Sequence, residues 1–444
     1  MGAPQTPHGT DIGATARAAA ARAIDAVLHD GRSLKVVLAD SLPAIDDVRD
    51  RALIEAICFH ALRHQRRYRY ALSQWMDKPL PQREHAIESL LLAGLAQLDA
   101  LGLPAHAAVS ATAEAARLLR RPAFVGLVNA LLRRASHEPW PVSDNPAIEH
   151  SYPDWLAARL RTDWPDDWEA LLAAGNKIAP LWLRVNARVS DRATYAQSLH
   201  AAQIACISPD GFEFALRLDQ GGAPEGLPGW GEGVVSVQDG AAQLAAMALD
   251  LRRDERVLDA CCAPGGKTAA MLEITDLVLT GLDNDRERLA RVDATLHRLQ
   301  LRRNTTLKSA DAADLDAWWN GEAFDAVLLD APCSGTGIIR RQPDIKWHRR
   351  ESDLVALTAN QDRLLDALWR VVKPGGRLLY ATCSILRVEN NERIAAFLAR
   401  TADAIELPLD AQYGRAAHPG RQRMPGDDGM DGFYYALIGK QAAH

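Results

Sequence analysis

The chain has 444 residues, of which 48% are hydrophobic and 24% charged, with a net charge of −6. This length gives a prior of about three domains, and the apolar content excludes wholesale disorder. No uncharged apolar run reaches the ~18–20 residues of a membrane span, so a soluble chain is expected, and the acidic balance argues against coating nucleic acid through bulk charge.

Six cysteines in so long a chain are too sparse for a disulfide scaffold. They imply free thiols in a reducing compartment; with no secretory signal at the start, a cytoplasmic protein without a metal site is expected. Residues 1–11 are polar and expected to be disordered. From residue 12 to 136 the pattern is helical. Ile87, Leu90, Leu91, Leu95, Leu98 and Leu101 mark one helix face, which Gly102 and Pro104 close. Phe124, Leu127, Val128, Leu131 and Leu132 start another amphipathic segment. An all-α domain is predicted. Four prolines make 137–153 a linker.

Residues 154–237 predict a small α/β module: two short helices, then strands at Leu181–Val185, Phe214–Leu218 and Val234–Val237. Between the last two strands, DQGGAPEGLPGWGEG can only be loop. From 238 to 444, strands alternate with helices. Strands are predicted at Arg256–Asp259, Val278–Leu282, Ala326–Leu329, Arg377–Tyr380 and Tyr434–Ile438. Such alternation predicts a parallel sheet with helices on both faces and a ligand at the carboxyl ends of its strands.

Four stretches fall at those strand ends. VLDACCAPGGKT, residues 257–268, runs from a strand through a Pro-Gly-Gly turn into a helix; it is either a ligand cradle or an ordinary strand-to-helix turn. GLDND places Asp283 where a carboxylate can accept ribose hydroxyls, although Asp283 or Asp285 could equally cap a helix. Asp311, in SADAADL, is a further acceptor or a surface turn. FDAVLLDAPCSGTGIIRRQPDIKW ends a strand at Asp330 with Cys333 three residues on, a poor pair for packing. Beyond it Arg340, Arg341, Lys346, His348, Arg349 and Arg350 surround Trp347, as a nucleic-acid contact or a solvated helix start would. GGRLLYATCSI puts Cys383 just past another strand, so two thiols would face one crevice; Cys58, Cys206 and Cys262 are expected to be packing residues.

Together these stretches resemble the bacterial RNA cytosine-5 methyltransferases over roughly Gln238 to Lys440, with DAPCSGTGIIRRQPDIKW, ATCSI and APGGKT as the matching motifs. The helical part, with LVNALLRR at 127–134, resembles the domain of the antitermination factor NusB. That pairing of domains is similar to the enzymes that methylate cytosine 967 of 16S ribosomal RNA. The resemblance implies a Rossmann-like catalytic domain, an RNA-recognition-like middle module and S-adenosylmethionine as cofactor. It implies cofactor contacts from Cys261, Cys262, Ala263, Pro264, Gly265, Gly266, Lys267, Asp283, Asp311 and Asp330, with Cys262 standing where the family has alanine. It also implies Cys383 as the nucleophile toward C6 of cytosine, Asp330 as the group at N3, and Cys333 as the aid to C5 proton loss and release. The target base would have to be unpaired or flipped out. The implied partner is 16S ribosomal RNA, bound by a chain expected to be a monomer, with phosphate contacts from some of Arg63, Arg66, Arg67, Arg69, Arg133 and Arg134. Transfer RNA as substrate is an alternative. DNA is disfavoured by the second cysteine, and a non-catalytic assembly role by the intact Asp330, Cys333 and Cys383.

Overall fold

The computed structural model describes residues 9–218 and 222–442. Of the start expected to be disordered, residues 1–8 lie outside the described residues, whereas 9–11 already belong to the first helix. Residues 219–221 of the expected Gly-rich loop are likewise outside. The chain divides into two compact units, one of residues 1–177 with 339–350, the other of residues 178–338 with 351–444. None of the described helices is long and apolar enough to cross a membrane.

The first unit is helical: α1 (Gly9–Leu28), α2 (Leu34–Ser41), α3 (Val48–Trp75), α4 (His85–Asp99), α5 (Ala105–Leu118), α6 (Val125–His137), α7 (Pro146–Glu149), α8 (Asp154–Asp163) and α9 (Trp168–Ala174). The apolar spacing reads correctly. Ile87, Leu90, Leu91 and Leu95 of α4 and Val128, Leu131 and Leu132 of α6 are buried in one core. Gly102 adopts φ +56° after α4, the left-handed turn that suits glycine.

The basic segment 339–350 belongs to this helical unit. Its short helix α15 (Ile345–His348) is tied down by carbonyl oxygens. Lys346 is 0% exposed; its Nζ donates to Arg63 O at 2.7 Å and Asn176 Oδ1 at 3.0 Å and lies 4.6 Å from the Tyr152 ring centre. Trp347 Nε1 donates to Leu62 O at 2.8 Å, and His348 Nε2 lies 2.8 Å from Val27 O. Arg340 is buried as well, and Arg63 Nη2 donates to its carbonyl at 2.8 Å. The expected nucleic-acid contact is therefore corrected for Arg340 and Lys346, whose side chains are buried; for Lys346, a carbonyl and an amide oxygen receive the ammonium. Burial, and then the nearby Arg63, push the Lys346 pKa well below the ordinary lysine range.

The arginines of α3 are likewise engaged within the unit. Arg63 is buried, Arg69 holds Glu88 through two bonds of 2.9 and 2.8 Å, and Arg66 pairs with Asp154 at 2.8 Å. Arg67 reaches Asp99 at 3.3 Å and stacks over Trp140. Arg134 pairs with Glu138 at 2.6 Å. Phosphate would have to displace a carboxylate at Arg66, Arg67, Arg69 and Arg134.

The second unit holds two sheets. A three-stranded antiparallel sheet orders β1 (Leu181–Val185) between β2 (Ala215–Leu218) and β3 (Val235–Val237), with α10 (Arg192–Ala201). The large sheet contains β4 (Arg256–Asp259), β5 (Val278–Asp283), β6 (Thr305–Ser309), β7 (Phe324–Asp330), β8 (Val372–Thr382), β9 (Ala404–Leu407), β10 (Arg415–Ala416), β11 (Arg421–Arg423) and β12 (Phe433–Lys440). Its path is β10-β11-β12-β8-β7-β4-β5-β6, with β9 pairing β12. Strands β4 to β8 are parallel, as predicted. β12 is not: it runs antiparallel to β8, and β9 to β11 were not foreseen. Two- to four-residue strands carry too little pattern to read from sequence.

Alternation along each strand splits the core. Val257, Ala326, Leu328 and Leu379 face α11 (Gly240–Ala248), α12 (Gly266–Ile274) and α13 (Arg286–Arg298). Leu258, Val327, Leu329, Leu378 and Tyr380 face α14 (Leu315–Trp318), α16 (Asp353–Val371) and α17 (Asn391–Arg400). The strand order reverses between β4 and β7, and a crevice opens at their carboxyl ends.

Candidate active site

The parallel register explains why residues far apart in sequence meet. Asp330 ends β7 opposite Ala381 of β8, and Ala331 N donates to Ala381 O at 2.8 Å. The next residues of both strands leave the sheet side by side, which brings Cys333 Sγ to 3.5 Å from Cys383 Sγ. A Cβ on Gly337 would collide with the carbonyl oxygens of Gly432 and Cys383, so only glycine lets the turn after Cys333 pass this close.

A cavity of about 280 Å³ opens beside the thiols, lined by Cys261, Ala263, Asp283, Asp311, Asp330, Cys333 and Cys383 among others. It gathers these seven expected site residues. Cys262, Pro264, Gly265, Gly266 and Lys267 are not among its lining residues. Cys262 is buried in the core below, its N–H bonded to Leu282 O at 2.8 Å. Gly265 takes φ +100° and starts α12; a Cβ there would press on Val292 of α13 at 3.2 Å.

The carboxylates differ in setting. Asp283 is 4% exposed; its Oδ2 accepts from Ala263 N at 3.3 Å and its Oδ1 from Asp285 N at 3.0 Å. The cap of α13 is Asp285, which accepts from Glu287 N and Arg288 N, so Asp283 is left facing the cavity. Asp311 meets Arg363 at 2.9 Å; partial burial pushes its carboxyl up, but Arg363 and the Ala313 N–H outweigh this and hold it below the usual range. Asp330 is paired with Lys267 at 2.6 Å. Burial alone would lower the Lys267 pKa, yet Asp330 raises it above the ordinary lysine value, so Lys267 stays a cation through neutral pH.

Burial and hydrogen bonding act together on Cys333. Its contact with Cys383, then desolvation, push the Cys333 thiol well above its ordinary value, and either sulfur can donate in the contact between them. Cys261 is also pushed up by burial.

Three supporting residues were not singled out from the sequence, although Asp259 lies within VLDACCAPGGKT. Asp259, at the end of β4, is fully buried; its Oδ2 accepts from Thr268 Oγ1 at 2.7 Å, while Oδ1 has no partner. Burial pushes its pKa up to about 7. Arg184 of β1 clamps α12 through Glu273, at 2.6 and 2.9 Å, and Gly266 O at 2.8 Å. Glu389 lies buried between the two cysteine loops. The only signal for Asp259 was a carboxylate closing an apolar strand, and Glu389, among Arg387, Asn390, Asn391 and Glu392, carried none.

A doubly wound sheet with carboxylates and thiols at its switch point defines an enzyme that works on a bound nucleotide-like ligand. Comparison with known proteins makes this specific. Residues 246–439 match the 16S rRNA methyltransferase RsmB/F family, 152–224 its ferredoxin-like domain, and 14–137 the NusB family. The ribosomal RNA small subunit methyltransferase B of Xanthomonas campestris is 53% identical over 428 residues, covering 96% of this chain and 97% of that protein. The Vibrio vulnificus protein of the same description is 43% identical, covering 96% and 99%. Among solved structures, PH0851 superposes with a TM-score of 0.80 at 22% identity, covering 95% of this chain and 99% of that one. A methyltransferase homologue from Pyrococcus horikoshii gives 0.60 at 27%, covering 67% and 100%. The chain belongs to the RsmB/F family of 16S rRNA methyltransferases, with an all-α NusB domain, a ferredoxin-like module and a Rossmann-like methyltransferase domain.

Proposed function

We propose that this methyltransferase modifies C5 of one cytosine in 16S ribosomal RNA, using S-adenosylmethionine, through a covalent bond from Cys383 to C6. The observation that carries the reading is the pair of sulfurs 3.5 Å apart beside the Asp330–Lys267 pair. The cavity suits the cofactor's chemistry: Asp283, Asp311 and Asp330 line it, acceptors for ribose hydroxyls and neighbours for a cationic ligand. When bound, S-adenosylmethionine supplies an electrophilic methyl group. The RNA substrate is drawn from the relatives' descriptions as ribosomal RNA small subunit methyltransferases.

Cytosine C5 is a weak nucleophile. Addition of the Cys383 thiolate to C6 pushes the C5–C6 electron pair onto C5, and one difficult step becomes two easier ones. Cys383, in the ATCSI stretch that matches the family's nucleophile motif, is taken as the attacking sulfur, and Cys333 lies 3.5 Å from it. Asp330, as the protonated acid, stabilises the adduct by donating a hydrogen bond or its proton to N3. After C5 is methylated, Cys333, once its own proton has passed to solvent, accepts the C5 proton as thiolate; the C5–H electron pair reforms the C5–C6 double bond and Cys383 leaves as thiolate.

The test is a denaturing gel of each variant incubated with RNA and S-adenosylmethionine. Cys383→Ala should show no activity and no shifted band; Cys333→Ala should accumulate a protein–RNA band that does not turn over. The reverse pattern would exchange the two roles. Deproteinised 16S RNA should be methylated in preference to transfer RNA and duplex DNA; preferential methylation of transfer RNA would reassign the substrate.

A further inference from the structure

Two loops of the same unit carry the reacting thiols, and a single buried carboxylate ties them together. We infer that Glu389 is a positioning residue: it locks the loop after Cys333 to the loop after Cys383 and so sets the separation of the two sulfurs. This rests on the cysteine roles proposed above.

Glu389 ends a one-turn helix, Arg387–Glu389, and is 0% exposed. Its Oε1 accepts from Ser334 N at 2.8 Å and Gln361 Nε2 at 3.3 Å. Its Oε2 accepts from Ser334 Oγ at 2.5 Å and Ser384 Oγ at 2.6 Å. Ser334 follows Cys333, and Ser384 follows Cys383. The carboxylate therefore grips the residue next to each thiol, Ser334 through both oxygens and Ser384 through Oε2. Thr336 closes the ring, 3.1 Å from Ser384 Oγ, and accepts from Ile385 N at 3.1 Å. Gln361 Nε2 also donates to Pro332 O at 3.0 Å, immediately before Cys333.

Packing alone does not ask for a carboxylate here. A buried acidic group costs desolvation that its hydrogen bonds roughly return, so an apolar side chain of similar volume would serve stability as well. What four donors on one carboxylate supply is geometry, since both loops are referred to the same two oxygens. The charge also acts on the chemistry, adding to the contact with Cys383 and to burial in keeping the proton on Cys333.

The test compares the wild type with Glu389→Ala, Glu389→Gln and Ser384→Ala in the full chain. The first readout needs no RNA. Diamide takes two electrons and two protons from the thiols of Cys333 and Cys383, becoming a hydrazine as the disulfide forms, and peptide mapping gives the rate of that pairing. The second is the rate of covalent adduct formation with 16S RNA containing 5-fluorocytosine, whose C5 carries no removable proton. Calorimetry with S-adenosylmethionine and the KM for RNA serve as controls. For Glu389→Ala, pairing and adduct formation should both slow by roughly 10–100-fold while cofactor affinity and KM hold. Glu389→Gln, which keeps one acceptor oxygen, should recover part of both rates. Wild-type rates in Glu389→Ala would overturn the inference. Should that variant fail to fold, wild-type pairing rates in both Glu389→Gln and Ser384→Ala would do so equally. A wild type that forms no adduct with the fluorinated RNA would sink the nucleophile assignment, whereas the diamide rates would still decide the role of Glu389.

Discussion

The two units each withdraw a lysine from most of its water, Lys267 to 15% exposure and Lys346 to 0%, and they treat it in opposite ways. In the catalytic unit Lys267 lies 2.6 Å from the Asp330 carboxylate, and its pKa is raised. In the helical unit Lys346 has only neutral acceptors, Arg63 O and Asn176 Oδ1, with the Arg63 cation nearby, and its pKa is driven well down. Burial is common to both, so burial does not decide the charge; the carboxylate does. Lys267 is a cation held beside the reacting groups. Lys346 is a long apolar stem with a donor at its tip, spent on anchoring its segment.

The sharpest way to break this contrast is to remove the cation that has a partner. Lys267→Met leaves the Asp330 carboxylate without its counter-charge and should lower unfolding free energy by up to about 3 kcal/mol, less than a fully buried pair because Asp330 keeps some solvent contact. Urea unfolding of the single variant and of Lys267→Met with Asp330→Asn checks it. The double variant should recover most of the loss; equal losses would show that the ion pair was not the cause.

Lys346→Met should behave differently, because it orphans two acceptors rather than a charge. The expected cost is about 1–3 kcal/mol at pH 9. A folded-state pKa below the unfolded one means that stability is present above the ordinary lysine range and lost as pH falls through the folded value. The gap between variant and wild type should therefore narrow from pH 9 to pH 6. Parallel melting curves across that range would refute the account of Lys346.

Asp259 is the carboxylate counterpart, buried with one unpartnered oxygen and raised to about 7. Here the sign reverses: its contribution is full below the unfolded value and is lost as pH rises through about 7. Wild type should lose roughly 1.4 kcal/mol relative to Asp259→Asn between pH 6 and pH 8. An identical pH dependence of the two proteins would mean that Asp259 is solvated in a way the structure does not show.

The sequence made some of this legible and not the rest, for physical reasons. Asp330, Cys333 and Cys383 stood out because reactive side chains at strand ends are poor packing material, and contiguous motifs carried them. Glu389, Gln361 and Arg184 act across the fold on groups between 5 and 89 residues away, so no local pattern reveals them. Arg340 and Lys346 fit neither the nucleic-acid contact nor the solvated helix start that the sequence left open, because a run of cations looks the same whether its members are exposed or buried. The final strand misled because its apolar run is as compatible with antiparallel as with parallel pairing, and β12 is buried along most of its length.

The lodging of 339–350 in the helical unit carries a consequence for how the protein can be taken apart. The backbone passes between the units three times, at 177–178, 338–339 and 350–351. A fragment ending at Lys177 would keep the helices yet lose the side chains that fill the space around Arg63, Tyr152 and Asn176. Such a fragment is an incomplete receptor, and the missing twelve-residue stretch is its natural ligand. The pair is a ready-made complementation system, in which a synthetic peptide added in trans restores what cutting the chain removed.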